Sequence, residues 1–134
     1  MKTGKILLVH RHADVRESLK SELEARGWEV ILGLSAASAL NILKLVPVQA
    51  VFVDLRENES VCLDLIYRMQ QTRPGVAIFG LADFPSHYEI QSCRNADIQG
   101  YFVAPFNINA LVNALERLHA TRPTEQDQRL RLLS

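Results

Sequence analysis

The sequence has few cysteines and no excess charge of either sign. Cys62 and Cys93 are the two cysteines of the 134-residue chain, and neither has a second cysteine or a histidine at metal-ligand spacing. We therefore expect reduced thiols and neither a disulfide framework nor a zinc site. Lysine plus arginine number 15 and aspartate plus glutamate number 15, so the formal net charge is zero. Direct nucleic-acid binding by this chain is not expected, because such binding depends on excess positive charge.

Long apolar runs are also lacking. No run approaches the roughly 18 residues that a membrane span requires. The N-terminal run at residues 6–9 is followed directly by His10 and Arg11, so it is too short for the core of a signal peptide. We expect a cytoplasmic protein without membrane contact. Apolar residues make up 48% and charged residues 22% of the chain, which is typical of one globular domain with a buried core.

Five short apolar runs recur along the chain and alternate with segments of helical periodicity. The runs are rich in Val, Ile and Phe and cover residues 5–9, 28–32, 50–53, 76–81 and 101–103. Such runs are typical of strands buried on both faces of a parallel sheet. The alternation predicts an α/β domain with a doubly wound sheet over residues 1–120. Residues 121–134 turn polar and are predicted to form a linker or C-terminal tail.

Capping residues and turn residues delimit five predicted helices. Gly27 is expected to end the first helix. The fourth helix has the weakest pattern and is predicted from residue 85 or 86 to about residue 95. The expected N-terminal caps of the first, second, third and fifth helices are Asp14, Ser35, Ser60 and Asn107.

Ligands of an open parallel sheet bind at the carboxyl ends of its strands, where the strand order reverses. A carboxylate such as Asp54, directly after the third run, is either a local cap or a functional group. His10 and His12 can form a pH-sensing or metal-binding pair, or have a structural or solvated role. The sequence has no glycine-rich phosphate loop or Ser-His-Asp arrangement, so no enzyme is predicted. The candidate positions after the strands are His10, Arg11, Asp54, Ala82, Asp83 and Ala104.

Four segments resemble the receiver domain of two-component response regulators. They are KILLV near the N-terminus, AVFVDL around Asp54, VAIFGLAD, and GYFVAPF from Gly100 to Phe106, and the resemblance extends from residue 5 to about residue 120. It implies a flavodoxin-like fold with a parallel sheet of order 2-1-3-4-5 and five helices. It also implies a role in signal transduction. In such receivers an aspartate at the position of Asp54 takes a phosphoryl group from a histidine kinase, with the help of a divalent cation.

Other functional positions of the receiver family differ in this sequence. His10 and Arg11 stand where the family has two acidic residues that hold the cation, and a guanidinium repels a hard cation. Ala82 stands where the family has a Thr or Ser that contacts the phosphoryl group. Ala104 stands where the family has a Lys, and the last lysine of this sequence is Lys44. The sequence therefore lacks the groups that would neutralise a phosphoryl group.

These departures predict a degenerate pseudo-receiver that binds no metal and no cofactor. The proline and glycine that usually follow the phospho-acceptor are also absent, with Asn58 and Cys62 at their aligned positions. We expect Arg11 to form an ion pair with Asp54. The alternative is that Arg11 replaces the cation and Asp54 still accepts a phosphoryl group in a phosphorelay. The resemblance also implies a cis peptide bond before Pro105.

A degenerate receiver is expected to act through protein contacts. Family receivers dimerise or bind partners through the fourth helix, fifth strand and fifth helix. Tyr101 matches the aromatic that they rotate inward, and here it is either a fixed packing residue or part of an interaction face. The expected partner is a protein, a second copy of the chain, or an output such as a transcriptional regulator. The alternative is a small-anion or nucleotide pocket lined by Ala82, Ala104, His10 and Arg11.

Overall fold

The fold is taken from a computed structural model, which describes residues 4–55, 59–82 and 98–121. The strands are β1 (Gly4–Val9), β2 (Trp28–Gly33), β3 (Ala50–Asp54), β4 (Ala77–Ala82) and β5 (Gly100–Val103). The helices within the described residues are α1 (Ala13–Ala25), α2 (Ala36–Leu45), α3 (Glu59–Thr72) and α4 (Ile108–Thr121). Helix α4 is the fifth predicted helix. The fourth predicted helix and residues 122–134 lie outside the described residues.

The five strands form one parallel sheet in the order β2-β1-β3-β4-β5. This confirms the doubly wound α/β fold and the flavodoxin-like strand order that the resemblance implied. Each observed strand begins and ends within one residue of the predicted run. The strand order reverses around β1, which pairs with β2 on one side and with β3 on the other. The crevice of the fold therefore opens at the carboxyl ends of β1 and β3.

Apolar side chains fill both faces of the sheet, and every residue of β3 and β4 is buried. On one face the Phe52 ring lies 5.4 Å from the Phe79 ring and 6.2 Å from the Phe102 ring, and α1 and α4 pack over this cluster. On the other face Leu43 of α2 and Met69 of α3 pack against the sheet. Burial on both faces explains why the strands read as continuous apolar runs. It also holds the carboxyl end of β3 in a fixed position.

Side-chain caps explain where two of the helices begin. The Ser35 hydroxyl accepts a hydrogen bond from the backbone N–H of Ser38 at 3.1 Å, and the Ser38 hydroxyl accepts one from the backbone N–H of Ser35. The Asn107 side chain accepts a bond from the backbone N–H of Asn109 at 2.9 Å. Both predicted caps are confirmed. Gly27 follows α1 with a φ of 96°, which is the left-handed conformation expected after a helix end.

Two predicted caps are wrong. Helix α1 begins at Ala13 with His12 as its N-cap residue, and no side chain caps it. Asp14 lies in the first turn instead, where its carboxylate interacts favourably with the helix dipole. Helix α3 begins at Glu59, so Ser60 lies within the helix. Of the helices that the structure describes, none is long and apolar enough to cross a membrane.

Candidate functional site

Parallel pairing of the strands brings the predicted site residues to one edge of the sheet. The pairs β1–β3 and β3–β4 end at the same level. His10 and Arg11 follow β1, Asp54 ends β3, and Ala82 ends β4. The backbone N–H of Ala104, directly after β5, donates to the Ala82 carbonyl at 2.8 Å. All five positions therefore lie around the carboxyl ends of neighbouring strands.

Asp54 is buried, and three nitrogen atoms lie near its Oδ2 oxygen. The Arg11 backbone N–H donates to Oδ2 at 3.4 Å, Arg11 Nε lies 3.5 Å away, and His10 Nδ1 lies 3.8 Å away. The predicted ion pair between Arg11 and Asp54 is thus confirmed. Its distances exceed the about 2.7–2.9 Å of a tight charge-assisted hydrogen bond. The Arg11 side chain is 40% exposed and that of Asp54 is 4% exposed, so the guanidinium meets water and the carboxylate does not.

His10 faces Asp54 as a neutral imidazole. Its Nδ1 accepts a hydrogen bond from the His12 backbone N–H at 3.1 Å, so Nδ1 carries no proton. Because a nitrogen without a proton cannot donate to a carboxylate, the 3.8 Å approach of Nδ1 to Asp54 is a packing contact and not an ion pair. His10 is buried, which supports its structural role, and His12 is exposed. Among the described residues, no group of three or more His, Cys, Asp or Glu side chains is arranged to hold a metal ion.

Arg16 takes part in the site although no pattern in the sequence pointed to it. Its Nη1 donates to the His10 carbonyl at 2.8 Å and fixes the backbone between β1 and α1. The role of Arg16 depends on the angle at which α1 leaves the sheet. A periodic apolar pattern does not determine that angle, so no sequence signal identified Arg16.

Ala82 and Ala104, the remaining predicted positions within the described residues, carry no polar side-chain atoms. Ala82 is 1% exposed, and Ala104 is half-buried. The Ala104–Pro105 peptide bond is cis, as the resemblance implied. A side-chain hydroxyl or ammonium group is thus missing at both positions where the receiver family has one. Asn58, Asp83, Cys93 and the side chain of Cys62 lie outside the described part of the chain.

Tyr101 lies on the outer edge strand β5. Its neighbour Phe102 packs against the phenylalanine cluster, and successive side chains of a strand point to opposite faces. Tyr101 and Val103 therefore project to the other face, where they are 37% and 42% exposed. Tyr101 is therefore only partly packed against its neighbours, and both interpretations of it stay open.

Leu55 belongs to the site although sequence reasoning missed it. Its backbone N–H donates to the Leu81 carbonyl at 2.8 Å, and its side chain covers Gly80. A Cβ atom built on Gly80 would lie 2.2 Å from Leu55 Cδ1. Any other residue type at position 80 would therefore require the Leu55 side chain to move. Glycine within an apolar strand is the sequence signal for such a close approach. The contact fixes the chain directly after Asp54.

A pocket of about 220 Å³ opens beside Asp54, on the side of β2. It lies between the ends of β1 and β3, the turn between β2 and α2, and one residue of α3. Of the four residues predicted to line a pocket, His10 and Arg11 line this one, and Ala82 and Ala104 are not in its described lining. The described lining includes Val9, His10, Arg11, Leu34, Asp54 and Leu65.

No family model and no curated protein sequence matches the chain. Solved structures do match it. A two-component response regulator from Clostridium difficile has a TM-score of 0.81 and 17% identity, over 89% of this chain and 98% of that one. The chemotaxis protein CheY4 of Vibrio cholerae has a TM-score of 0.76 and 22% identity, over 87% and 98%. Full-length FixJ from B. japonicum has a TM-score of 0.78 and 20% identity, over 90% and 59%. At these identities the likeness shows the fold, which is that of CheY-like receiver domains.

Proposed function

We propose that the chain is an atypical receiver module of signal transduction that acts through protein contacts without phosphorylation of Asp54. The receiver fold and the position of Asp54 at the end of β3 support the signalling role. The observation that carries the proposal is the ion pair between Arg11 and Asp54. It brings a permanent cation of the protein next to the carboxylate, and the resemblance aligns Arg11 with one of the acidic residues that hold the metal ion in receivers.

The surroundings of Asp54 are unfavourable for phosphoryl transfer. The reaction depends on groups that position the donor and neutralise the charge that develops on it. The Asp54 side chain is 4% exposed, and the imidazole beside it is neutral. Ala82 and Ala104 offer no side-chain donor at the two positions where receivers use a hydroxyl and a lysine. A phosphoryl group at Asp54 would therefore add charge at a buried place with one described cation, that of Arg11, to offset it.

A module that is not switched by phosphorylation needs a surface that is present at all times. The exposed side chains of Tyr101 and Val103 on β5 are the best candidate for it. Its partner is a protein, which is a second copy of this chain or an output such as a transcriptional regulator. Two similar structures, full-length FixJ and NtrX from Brucella abortus, are longer chains, of which this chain covers 59% and 28%. Their length supports an output outside the receiver fold.

Treatment with acetyl phosphate and Mg²⁺, followed by intact mass measurement, tests the proposal. We expect no added phosphoryl mass on the wild-type chain, while an active receiver treated in parallel gains it. Asp54→Asn is the matched control, because it removes the acceptor oxygen and keeps the size of the side chain. A gain of one phosphoryl group that is lost in Asp54→Asn would contradict the proposal. It would support the rival function, a phospho-acceptor in which Arg11 replaces the cation.

A further inference from the structure

Strand β2 is the edge strand on the side of the sheet opposite to β5. Within the described residues it pairs with β1 alone, over all six of its positions and without a bulge. Its sequence, WEVILG, contains neither a lysine nor a proline. Natural proteins place those residues on edge strands to prevent pairing with another chain. The outer edge of β2 is therefore suited to the addition of one more strand.

Two apolar side chains beside this edge face water. Leu34, directly after β2, is 70% exposed, and Leu45 is 71% exposed. They are the most exposed large apolar side chains of the described residues. Leu34 precedes Ser35, the N-cap residue of α2, and Leu45 is the last residue of that helix. The two leucines therefore lie at opposite ends of α2.

The orientation of α2 directs Leu45 toward the outer edge of the sheet. The helix packs on β2, where a Cβ atom built on Gly33 would lie 3.0 Å from the Ala39 Cβ. Ala36 faces α3, because it lines the same pocket as Leu65, and α3 lies toward the centre of the sheet, between β3 and β4 in the chain. Leu45 comes nine positions after Ala36, or about two and a half helical turns, so it lies on the opposite flank of α2.

A second copy of the chain fits this edge through a two-fold axis. Antiparallel pairing of β2 with β2 of the copy, about an axis through the middle of the strand, places Glu29 opposite Leu32. The single charged residue of β2 is thus not opposite its own copy, where like charges would repel. The same axis brings Leu34 of each copy to the end of the contact at which Leu45 of the other copy lies. Both exposed leucines are then covered at once.

We propose that the chain associates with a second copy of itself through β2, with the two β2 strands antiparallel in one continuous sheet. Backbone hydrogen bonds between the strands form the centre of the contact, and Leu34 of each copy packs against Leu45 of the other. This contact goes beyond the proposed function, whose candidate surface is on β5. Association through β2 alone stops at a dimer, whereas a chain that uses both edges assembles further.

Sedimentation equilibrium of the Tyr101→Ala chain tests the proposal, because this variant weakens the contact through β5. We expect a reversible dimer at protein concentrations up to about 100 μM. Adding Leu45→Asp should weaken that dimer by about tenfold or more, because it places a carboxylate in an apolar contact. Tyr67→Asp is the matched control, since Tyr67 is 47% exposed and lies on α3, and it should leave the dimer unchanged. A monomer at all these concentrations, or equal weakening by the two changes, would overturn the proposal.

A mixture of two variants in the same Tyr101→Ala chain tests the antiparallel arrangement. Leu34→Lys and Leu45→Asp should each weaken self-association, because each places a charge against a leucine in both halves of the contact. In a mixed dimer the new lysine of one chain meets the new aspartate of the other, and the second half of the contact keeps leucine against leucine. The mixture should therefore associate more tightly than either variant alone. A mixture of Leu34→Lys with Tyr67→Asp is the control and should show no such gain, and an equal gain in both mixtures, or none in either, would overturn the proposal.

Discussion

At the scale of single residues, the two partners of the Arg11–Asp54 pair differ in their access to water. The Asp54 carboxylate is buried and cannot be rehydrated if it loses a charged partner. The Arg11 guanidinium is 40% exposed, so it can turn to solvent if the carboxylate is removed. Removal of one partner is therefore not equivalent to removal of the other, although both break the same contact.

We predict that Arg11→Gln lowers the free energy of unfolding by about 1–2 kcal/mol. Asp54→Asn should cost less, because it removes the buried charge together with the contact. The double variant should be more stable than Arg11→Gln alone, since it no longer buries a carboxylate without the charge of Arg11 beside it. Urea unfolding of the three variants measures these differences.

The control for this series is Arg26→Gln, which removes an arginine from an exposed position. It should change stability by less than about 0.5 kcal/mol. Equal losses in Arg11→Gln and Arg26→Gln would mean that the pair contributes nothing. A larger loss in Asp54→Asn than in Arg11→Gln would contradict the argument from burial.

Sequence reasoning reached this pair because its two residues follow strands that are neighbours in the sheet. The strand order came from the resemblance, and the residue types then indicated opposite charges side by side. The neutral state of His10 was not predictable, because it depends on the local path of the backbone that brings the His12 N–H to Nδ1. The same local path explains why Asp14 is not the cap of α1. Helix α1 begins before it, with His12 as the N-cap residue.

At the scale of secondary structure elements, β3 and β4 are coupled directly after the site. Leu55 continues the pairing beyond the end of β3, with its N–H on the Leu81 carbonyl, and its side chain covers Gly80. Because Gly80 of β4 has no side chain, the segment directly after β3 can pack closely against the sheet. The sequence contained a signal for this contact in the glycine of β4. It did not indicate that Leu55 is the residue that covers this glycine.

We predict that Gly80→Ala destabilises the domain by about 1–3 kcal/mol, because the new methyl group overlaps Leu55. Gly100→Ala is the matched control, since the nearest atom to a Cβ there, in the Phe79 ring, lies at 4.0 Å. Gly100→Ala should be neutral or slightly stabilising. Urea unfolding of both variants measures the difference, and equal stability of the two would show that Leu55 moves aside at no cost.

At the scale of the whole molecule, the fold was more predictable than the pocket. Alternating apolar runs and helical segments determine a parallel sheet with helices on both faces, and the observed strands match the runs to within one residue. The pocket depends on which gaps remain between the turns at the sheet edge. Leu34 and Leu65 come from different elements and line it together. No local pattern predicts that these two residues lie together, so the prediction included His10 and Arg11 of the lining but not Leu34 or Leu65.

The exposed residues of β5 lead to a prediction about self-association. We expect the chain to dimerise without phosphorylation and Tyr101→Ala to weaken the dimer, because Tyr101 is a large, partly apolar side chain on an edge strand. Tyr67→Ala is the matched control, since Tyr67 is 47% exposed and lies on α3 and not on β5. Sedimentation equilibrium at several protein concentrations provides the measurement.

A monomer at all concentrations up to about 100 μM, where an association of about −5.5 kcal/mol becomes visible, would rule out the dimer. The protein-contact function would then depend on a different partner. Equal weakening by Tyr101→Ala and Tyr67→Ala would show that the contact is not specific to β5.

The complete burial of β3 and β4 has a consequence for isotope exchange. Amide hydrogens in strands that are shielded on both faces exchange with deuterium only when the whole domain unfolds. Those of β5, at the edge of the sheet, exchange through local opening as well. One exchange experiment on this chain therefore contains its own reference. The slowest amides of β3 report global stability, and added protection on β5 reports association in the same sample.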